Sequence, residues 1–282
     1  MVVNLQQYNF AWLYYAFKKI MKKLKLIIFL SFSILSKILG QDIKGIIVFK
    51  ECVYHDTVGM EEFNSTGTLL INVTENNSLY VTGKKLNNVD SKNVYEKNDN
   101  GVIVGKRINP GTKNGLILYK SSRNKILTYQ GKAFGKPYIV NDKYPDINWQ
   151  IIDSTKIIKE IVCQKAEGDY HGRHYTAWFT NKILISDGPW KLCGLPGLIL
   201  EAYDEKKHFI FQTLSIDFPK EFSQLIIPPN EGEPIDFFSY FKLYENEIEK
   251  LPKKMAAKIA EMGGTINSLK LTHNSIERNI KE

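Results

Sequence analysis

The sequence predicts a mainly β protein. It would be one antiparallel sheet, curved or rolled into a half-barrel, with one or two helices near the C-terminus. Two observations predict this class. From residue 42 onward, short runs of β-branched and aromatic residues alternate with turn residues, without the intervening helical patterns that βαβ units require. After residue 218 the pattern switches to a proline-rich connection and then to helical periodicity. The length of 282 residues is ample for a core.

The elements follow in order. Residues 43–54 (IKGIIVFKECVY) open the strand series. Residues 66–73 and 78–82 are two short strands joined by Thr74-Glu75-Asn76-Asn77, a turn by composition. Residues 84–100 are rich in Asn, Asp and Lys and predict a loop. Residues 102–108, 116–119 and 125–129 continue the series, and 149–158 and 160–165 extend it. Residues 175–180 alternate Tyr175, Ala177 and Phe179 against Thr176, Trp178 and Thr180. Residues 219–234 contain Pro228-Pro229 and Asn230-Glu231-Gly232 and read as a linker. Asp236 is placed to cap a helix over 237–249, which Pro252 interrupts. The helix resumes over 253–262 with Met255, Ile259 and Met262 on one stripe and ends at Gly263-Gly264. Residues 265–272 predict a last strand.

The most distinctive stretch is 188–216 (GPWKLCGLPGLILEAYDEKKHFIFQTLSI). Pro196-Gly197 suits the centre of a type II turn. Residues 198–203 and 208–216 then form a hairpin around Asp204-Glu205-Lys206-Lys207. In that register Tyr203 faces His208, Ala202 faces Phe209, Leu200 faces Phe211 and Leu198 faces Thr213. One side is apolar and the other mixed, so a one-residue slip would spoil the segregation.

The N-terminus reads as a secretory signal. Residues 22–25 carry three lysines, and residues 26–35 form an apolar core too short to span a bilayer. Residues 1–20 lack that pattern and are expected to be a gene-model extension. The organisation expected is therefore 1–20 extension, 21–41 signal peptide, 42–218 β domain, and 219–282 linker, helices and tail packed on the same domain. The net charge of +8 is concentrated at this end. Without the six lysines of residues 1–41, 32 basic residues stand against 30 acidic ones. Such a balance gives no basic stripe for nucleic acid. Export permits a disulfide, and Cys163–Cys193 is the preferred pair, with Cys52 left over. The alternative is three buried thiols.

Walker, dinucleotide-binding, HExxH, CxxC and GxSxG patterns are all missing, so no cofactor is expected. His171 and His174 are the nearest approach to a metal pair, but on a strand an odd spacing turns them to opposite faces. Tyr175, Trp178, Trp190 and Tyr203 cluster in sequence and are candidates to line a ligand groove, or else core aromatics. The expected function is an exported cell-envelope binding or accessory module for an apolar or protein ligand. The rival is an extracytoplasmic hydrolase using Cys163 or a Glu201/Arg173 site. A third reading has the sheet edge pairing with an envelope partner.

The segment CGLPGLILEAYD, preceded by YTAWFTNKILISDGPW, resembles the signature of the GLPGLI family. The hexapeptide is Gly194, Leu195, Pro196, Gly197, Leu198 and Ile199. The resemblance covers residues 163–216 firmly and the flanking strands loosely. It implies an exported protein of a Gram-negative envelope, and it brings no established activity and no catalytic residue. The strand series also looks somewhat like the curved half-barrels of periplasmic lipoprotein carriers, an analogy of fold alone.

Overall fold

The structure, a computed structural model, describes residues 42–54, 62–85, 93–97, 103–107 and 115–261, with positions 18 and 21 besides. Residues 43–282 form one compact unit and residues 1–42 another. The signal-peptide reading of 21–41, the extension over 1–20 and the strand over 265–272 lie outside the described residues. Among the described residues no helix is long and apolar enough to cross a membrane.

Among the described residues, fourteen strands precede a long helix. They are β1 (Lys44–Tyr54), β2 (Glu62–Asn72), β3 (Asn77–Lys85), β4 (Asn93–Lys97), β5 (Ile103–Arg107), β6 (Leu116–Ser121) and β7 (Ile126–Ala133). Then follow β8 (Lys136–Lys143), β9 (Gln150–Ile158), β10 (Ile161–Tyr170), β11 (Arg173–Thr180), β12 (Leu198–Asp204), β13 (Phe209–Asp217) and β14 (Glu233–Asp236). The helix α1 is Phe237–Glu261. Twelve strands make one sheet in the order β14-β8-β7-β6-β3-β2-β1-β13-β12-β11-β10-β9, and β4 and β5 make a separate ribbon. Every pairing is antiparallel except β14 on β8.

Topology alone requires the sheet to curl. β8 lies beside one edge and β9 is the other edge, ten strand spacings away. Laid flat, that is roughly 48 Å. The connection through residues 144–149 spans at most about 25 Å when fully extended. The two ends must therefore approach each other, which gives the open, rolled sheet that the strand series predicts.

The main core lies on the face that the roll encloses. It gathers Ile47 and Phe49 of β1, Leu69 and Ile71 of β2, and Leu198 and Leu200 of β12. On the opposite face Leu70, Leu79 and Tyr119 form a second cluster, covered by Phe222 and Ile226 of the β13–β14 connection. β1, β2 and β3 are thus buried on both sides, which is why TLLIN reads as an apolar run and not as an alternation.

Several expectations are corrected. The β12–β13 register is two residues away from the predicted one: Ala202 faces Phe211 and Tyr203 faces Ile210. The two-residue shift keeps each side chain on its expected face. Its cause is Asp204, which belongs to the strand and accepts a hydrogen bond from the Phe209 backbone N–H at 2.7 Å. The turn thereby moves to 205–208, where Lys207 has φ of 55°. Pro196-Gly197 forms a tighter turn than type II, with the Gly197 N–H donating to the Leu195 carbonyl at 2.8 Å. Gly197 has φ of 152°, and a Cβ there would stand 2.1 Å from the Thr180 carbonyl oxygen. Only glycine permits that approach. α1 runs unbroken through Pro252. β8 and β14 occupy stretches in which no strand is predicted, and β4 lies in the predicted 84–100 loop.

Candidate functional site

The space inside the rolled sheet is taken by the segment between β11 and β12, residues 181–197. Two buried ion pairs fix it to the far side of the roll. Lys120 of β6 is fully buried, forms an ion pair with Asp187, and donates to the carbonyls of Gly188 at 2.6 Å and Trp190 at 2.8 Å. Lys191, equally buried, bonds Asp142 of β8 at 2.7 Å. The Lys191 ammonium also sits 4.4 Å from the centroid of the Tyr129 ring and 4.6 Å from that of Phe237. The Trp149 indole N–H donates to the Cys193 carbonyl at 2.7 Å. Ile199 closes the segment by donating its N–H to the Asp187 carbonyl at 2.8 Å. Leu195, Leu198 and Ile199 of the hexapeptide are buried and hydrocarbon throughout, and Gly194, Pro196 and Gly197 shape its turn. The hexapeptide is a folding device and presents no reactive group.

The four aromatic candidates do not converge. Strand alternation puts Tyr175 and Trp178 on opposite faces of β11. Trp178 pairs across with Glu201, and Tyr203 lies two residues along on the same face of β12. Trp190 lies in the interior segment against Tyr129, with ring centroids 5.9 Å apart. One groove therefore cannot use all four.

The charged candidates also separate. Arg173 is buried and donates to Asp204 at 2.9 Å, with His208 at 3.4 Å and its guanidinium stacked over Phe209. This cluster ties the start of β11 to the turn after β12. Glu201 instead accepts a 2.5 Å bond from Lys156, whose ammonium lies over the Trp178 ring. The expected Glu201/Arg173 site is thus two separate structural pairs.

Cys163 and Cys193 are both buried thiols and are not joined to each other, which corrects the predicted disulfide. Cys163 is in β10, and its thiol reaches the Ile161 carbonyl; that of Cys193 reaches the Pro145 carbonyl. Burial pushes each up to about 11, so both are protonated thiols at neutral pH and poor nucleophiles. The histidines point apart. His171 and Gly172 form the β10–β11 turn with positive φ, and His171 stacks between Tyr170 and Phe237. His174 bonds Asp169 at 2.8 Å at the surface. No group of three or more potential metal ligands occurs among the described residues.

Sequence reasoning passed over Glu51. This β1 residue is buried and accepts hydrogen bonds from Tyr80 (2.6 Å), Thr82 and Ser65 (both 2.7 Å), and the Gly83 N–H (2.9 Å). Burial first, then the Glu51 charge, raises the Tyr80 phenol well above its ordinary value. The signal available in the sequence was the one acid of a β-branched and aromatic strand, placed next to Lys50. Its four donors bind β1, β2 and β3 into one knot.

The last feature lies at the sheet edge. β9 has nine residues and is paired on one side, to β10, among the described residues. None of its first eight residues is buried. Ile151 is 49 % exposed and Ile157 71 %, and Val162, the cross-strand partner of Ile157, is 51 % exposed.

What the fold defines is a rolled, mostly antiparallel open sheet closed around its own β11–β12 segment. A family model described as "Protein of unknown function (Porph_ging)" matches residues 169–201, from the end of β10 into β12. The match thus falls on the interior segment and the strands that hold it. No curated protein matches the chain. Among solved structures, PNGF-II in its P21 crystal form is similar at 12 % identity and a TM-score of 0.47, covering 72 % of this chain and 33 % of that one. PNGF-II in its C2 form gives 11 % identity and a TM-score of 0.46, over 73 % of this chain and 33 % of that one. The chain thus spans about a third of the length of those proteins, and at this likeness nothing about function passes from them to it.

Proposed function

We propose that the protein is a GLPGLI-family component exported to the cell envelope, where it acts as a non-enzymatic module that binds a protein ligand. The contact is strand addition at β9. One observation carries this reading: β9 is a nine-residue edge with exposed isoleucines at both ends, the form of edge that accepts an extended segment through backbone hydrogen bonds. The basic, then apolar, run over residues 22–35 supports export. A protein ligand is favoured over a small apolar one because the interior is filled by residues 181–197 and by Phe237. A hydrolase based on Cys163 is disfavoured by a thiol that stays protonated until about pH 11.

The test is photo-crosslinking in the full chain, produced in its own envelope. A benzophenone amino acid replaces Ile151 in one sample and exposed Lys136 of β8 in another. The expected result is discrete protein adducts from position 151 alone, abolished when Ile157→Lys places a charge on the edge. Equal adducts at both positions, or none at 151, overturn the reading.

A further inference from the structure

Apart from the β9 edge, we infer that a cavity at the end of β11 is a binding site for the carboxylate of a small aliphatic ligand. The cavity has a volume of about 160 Å³ and is lined by Thr155, Val162, Gln164, Phe179, Asn181 and Lys182. Register explains how they meet. Thr155 of β9 is opposite Gln164 of β10, which is opposite Phe179 of β11, so the three form one cross-strand row on one face. Val162 lies on that face two residues away along β10, and Asn181 and Lys182 follow the last residue of β11. The ladders on either side break register at this row. β10 slips against β9 between Gln164 and Lys165, and β11 slips against β12 between Trp178 and Phe179. Bulges of this kind re-aim side chains beside functional sites. The hexapeptide braces the same place from behind. A Cβ on Gly197 would lie 2.1 Å from the Thr180 carbonyl oxygen and 3.1 Å from the Asn181 Cα. The Lys182 N–H donates to the Thr180 hydroxyl at 3.2 Å, which ties down the turn that presents both residues. The glycine that shapes the motif thus also sets where Asn181 and Lys182 stand.

The lining selects the ligand. It offers one cation, the Lys182 ammonium, with the carboxamides of Gln164 and Asn181 and the Thr155 hydroxyl, and it includes no acid. None of these four side-chain groups has an ion-pair or hydrogen-bond partner among the described residues. A carboxylate answers all of them, because its two oxygens only accept and carry a full charge. Val162 and the buried Phe179 supply an apolar wall beside those donors. The volume lies below the roughly 300 Å³ at which sites for drug-sized ligands begin. The aliphatic part is therefore limited to the size of a leucine side chain. The last residue of a polypeptide and a free short-chain acid both present this chemistry.

Protein-detected NMR on the full chain tests this, following the Val162 methyl groups and the Asn181 side-chain amide. The probes are N-acetyl-L-leucine, isovalerate and the neutral N-acetyl-L-leucinamide. N-acetyl-L-leucine should shift both sets of signals and half-saturate on the order of 1 mM, the affinity of about twelve non-hydrogen atoms at ordinary ligand efficiency. Its amide should bind on the order of tenfold more weakly, and Lys182→Ala should weaken the acid by a similar factor, as for loss of a hydrogen bond to a charged group. Lys159→Ala, at an exposed lysine outside the cavity, should leave binding unchanged. Binding of isovalerate assigns a free acid, and its failure beside N-acetyl-L-leucine assigns a chain end. No binding of either acid overturns the inference. So do equal affinities for acid and amide, shifts that miss Val162 and Asn181, or an unchanged affinity in Lys182→Ala. Crosslinking at position 151 reads the β9 edge separately, so either result can fail without the other.

Discussion

The two edges of the sheet are built in opposite ways. β14 is four residues long, contains Pro234 and leads directly into α1, whose Tyr240 reaches back to donate to the Lys132 carbonyl of β7. Gly131 makes room for that ring, since a Cβ there would lie 2.6 Å from it. Glu247 of the same helix accepts from the Phe134 N–H at 2.7 Å. β9 has more than twice the length, no proline, and exposed isoleucines. Sheets commonly blunt their edges with short strands, proline or a covering helix. This chain uses all three at β14 and none of them at β9, where the register against β10 breaks at Asp153-Ser154. The difference teaches that the open edge is local to β9: the means of closing an edge are present elsewhere in the same sheet.

The comparison can be broken first at the secured end. Lys191→Ala leaves Asp142 buried without its cation and empties the space between Tyr129 and Phe237. The expected loss is about 3–5 kcal/mol, read as a large fall in the urea midpoint. A smaller effect comes from the helix cap. Asp236 accepts from the Ser239 N–H at 3.0 Å, and the Ser239 hydroxyl first, then that N–H, hold its carboxyl below the usual range. The cap therefore stabilises at pH values above the unfolded carboxylate's own titration, and its contribution is lost as pH falls through the folded value. Asp236→Ala should lower the urea midpoint at pH 7, with the gap from wild type narrowing in acid. The smallest effect belongs to β9. Ile157→Thr should change monomer stability by no more than about 0.5 kcal/mol, as for a surface position. A large loss there would mean that β9 is structurally anchored like β14.

Much of the fold was legible because burial imposes pattern. The β-branched runs of β1, β2 and β12 and the Asp236 cap all appear in the sequence as they do in the structure. β8 was not legible, because KPYIVNDK mixes a proline and three charges into a strand that is paired on both sides. The buried lysines were not legible either. Lysine ordinarily reads as solvent-facing, and Lys191 is buried only because a carboxylate 49 positions away meets it. The candidate site was read poorly for the same reason. Trp178 and Tyr175 are neighbours in sequence, yet alternation separates them, whereas Lys156, Trp178 and Glu201 come together only through register. What identifies β9 as an edge is strand order, which no local pattern contains.

The six-residue crossing from β8 to β9 has a kinetic consequence. The chain builds outward from β1 through neighbouring hairpins to β8, jumps to the far edge, and builds inward from β9 to β13. Nearly every pairing is therefore between close neighbours in sequence. The β3–β6 and β14–β8 pairings reach further along the chain, and the β1–β13 seam reaches furthest, joining Ile47 to Ile216 and Val53 to Phe209. Closing so long a loop carries the largest entropic cost of any pairing in the sheet. Two meanders can thus form early and independently, with their union at this seam as the slow step, and substitutions in β13 that face β1 should slow refolding more than those in β9.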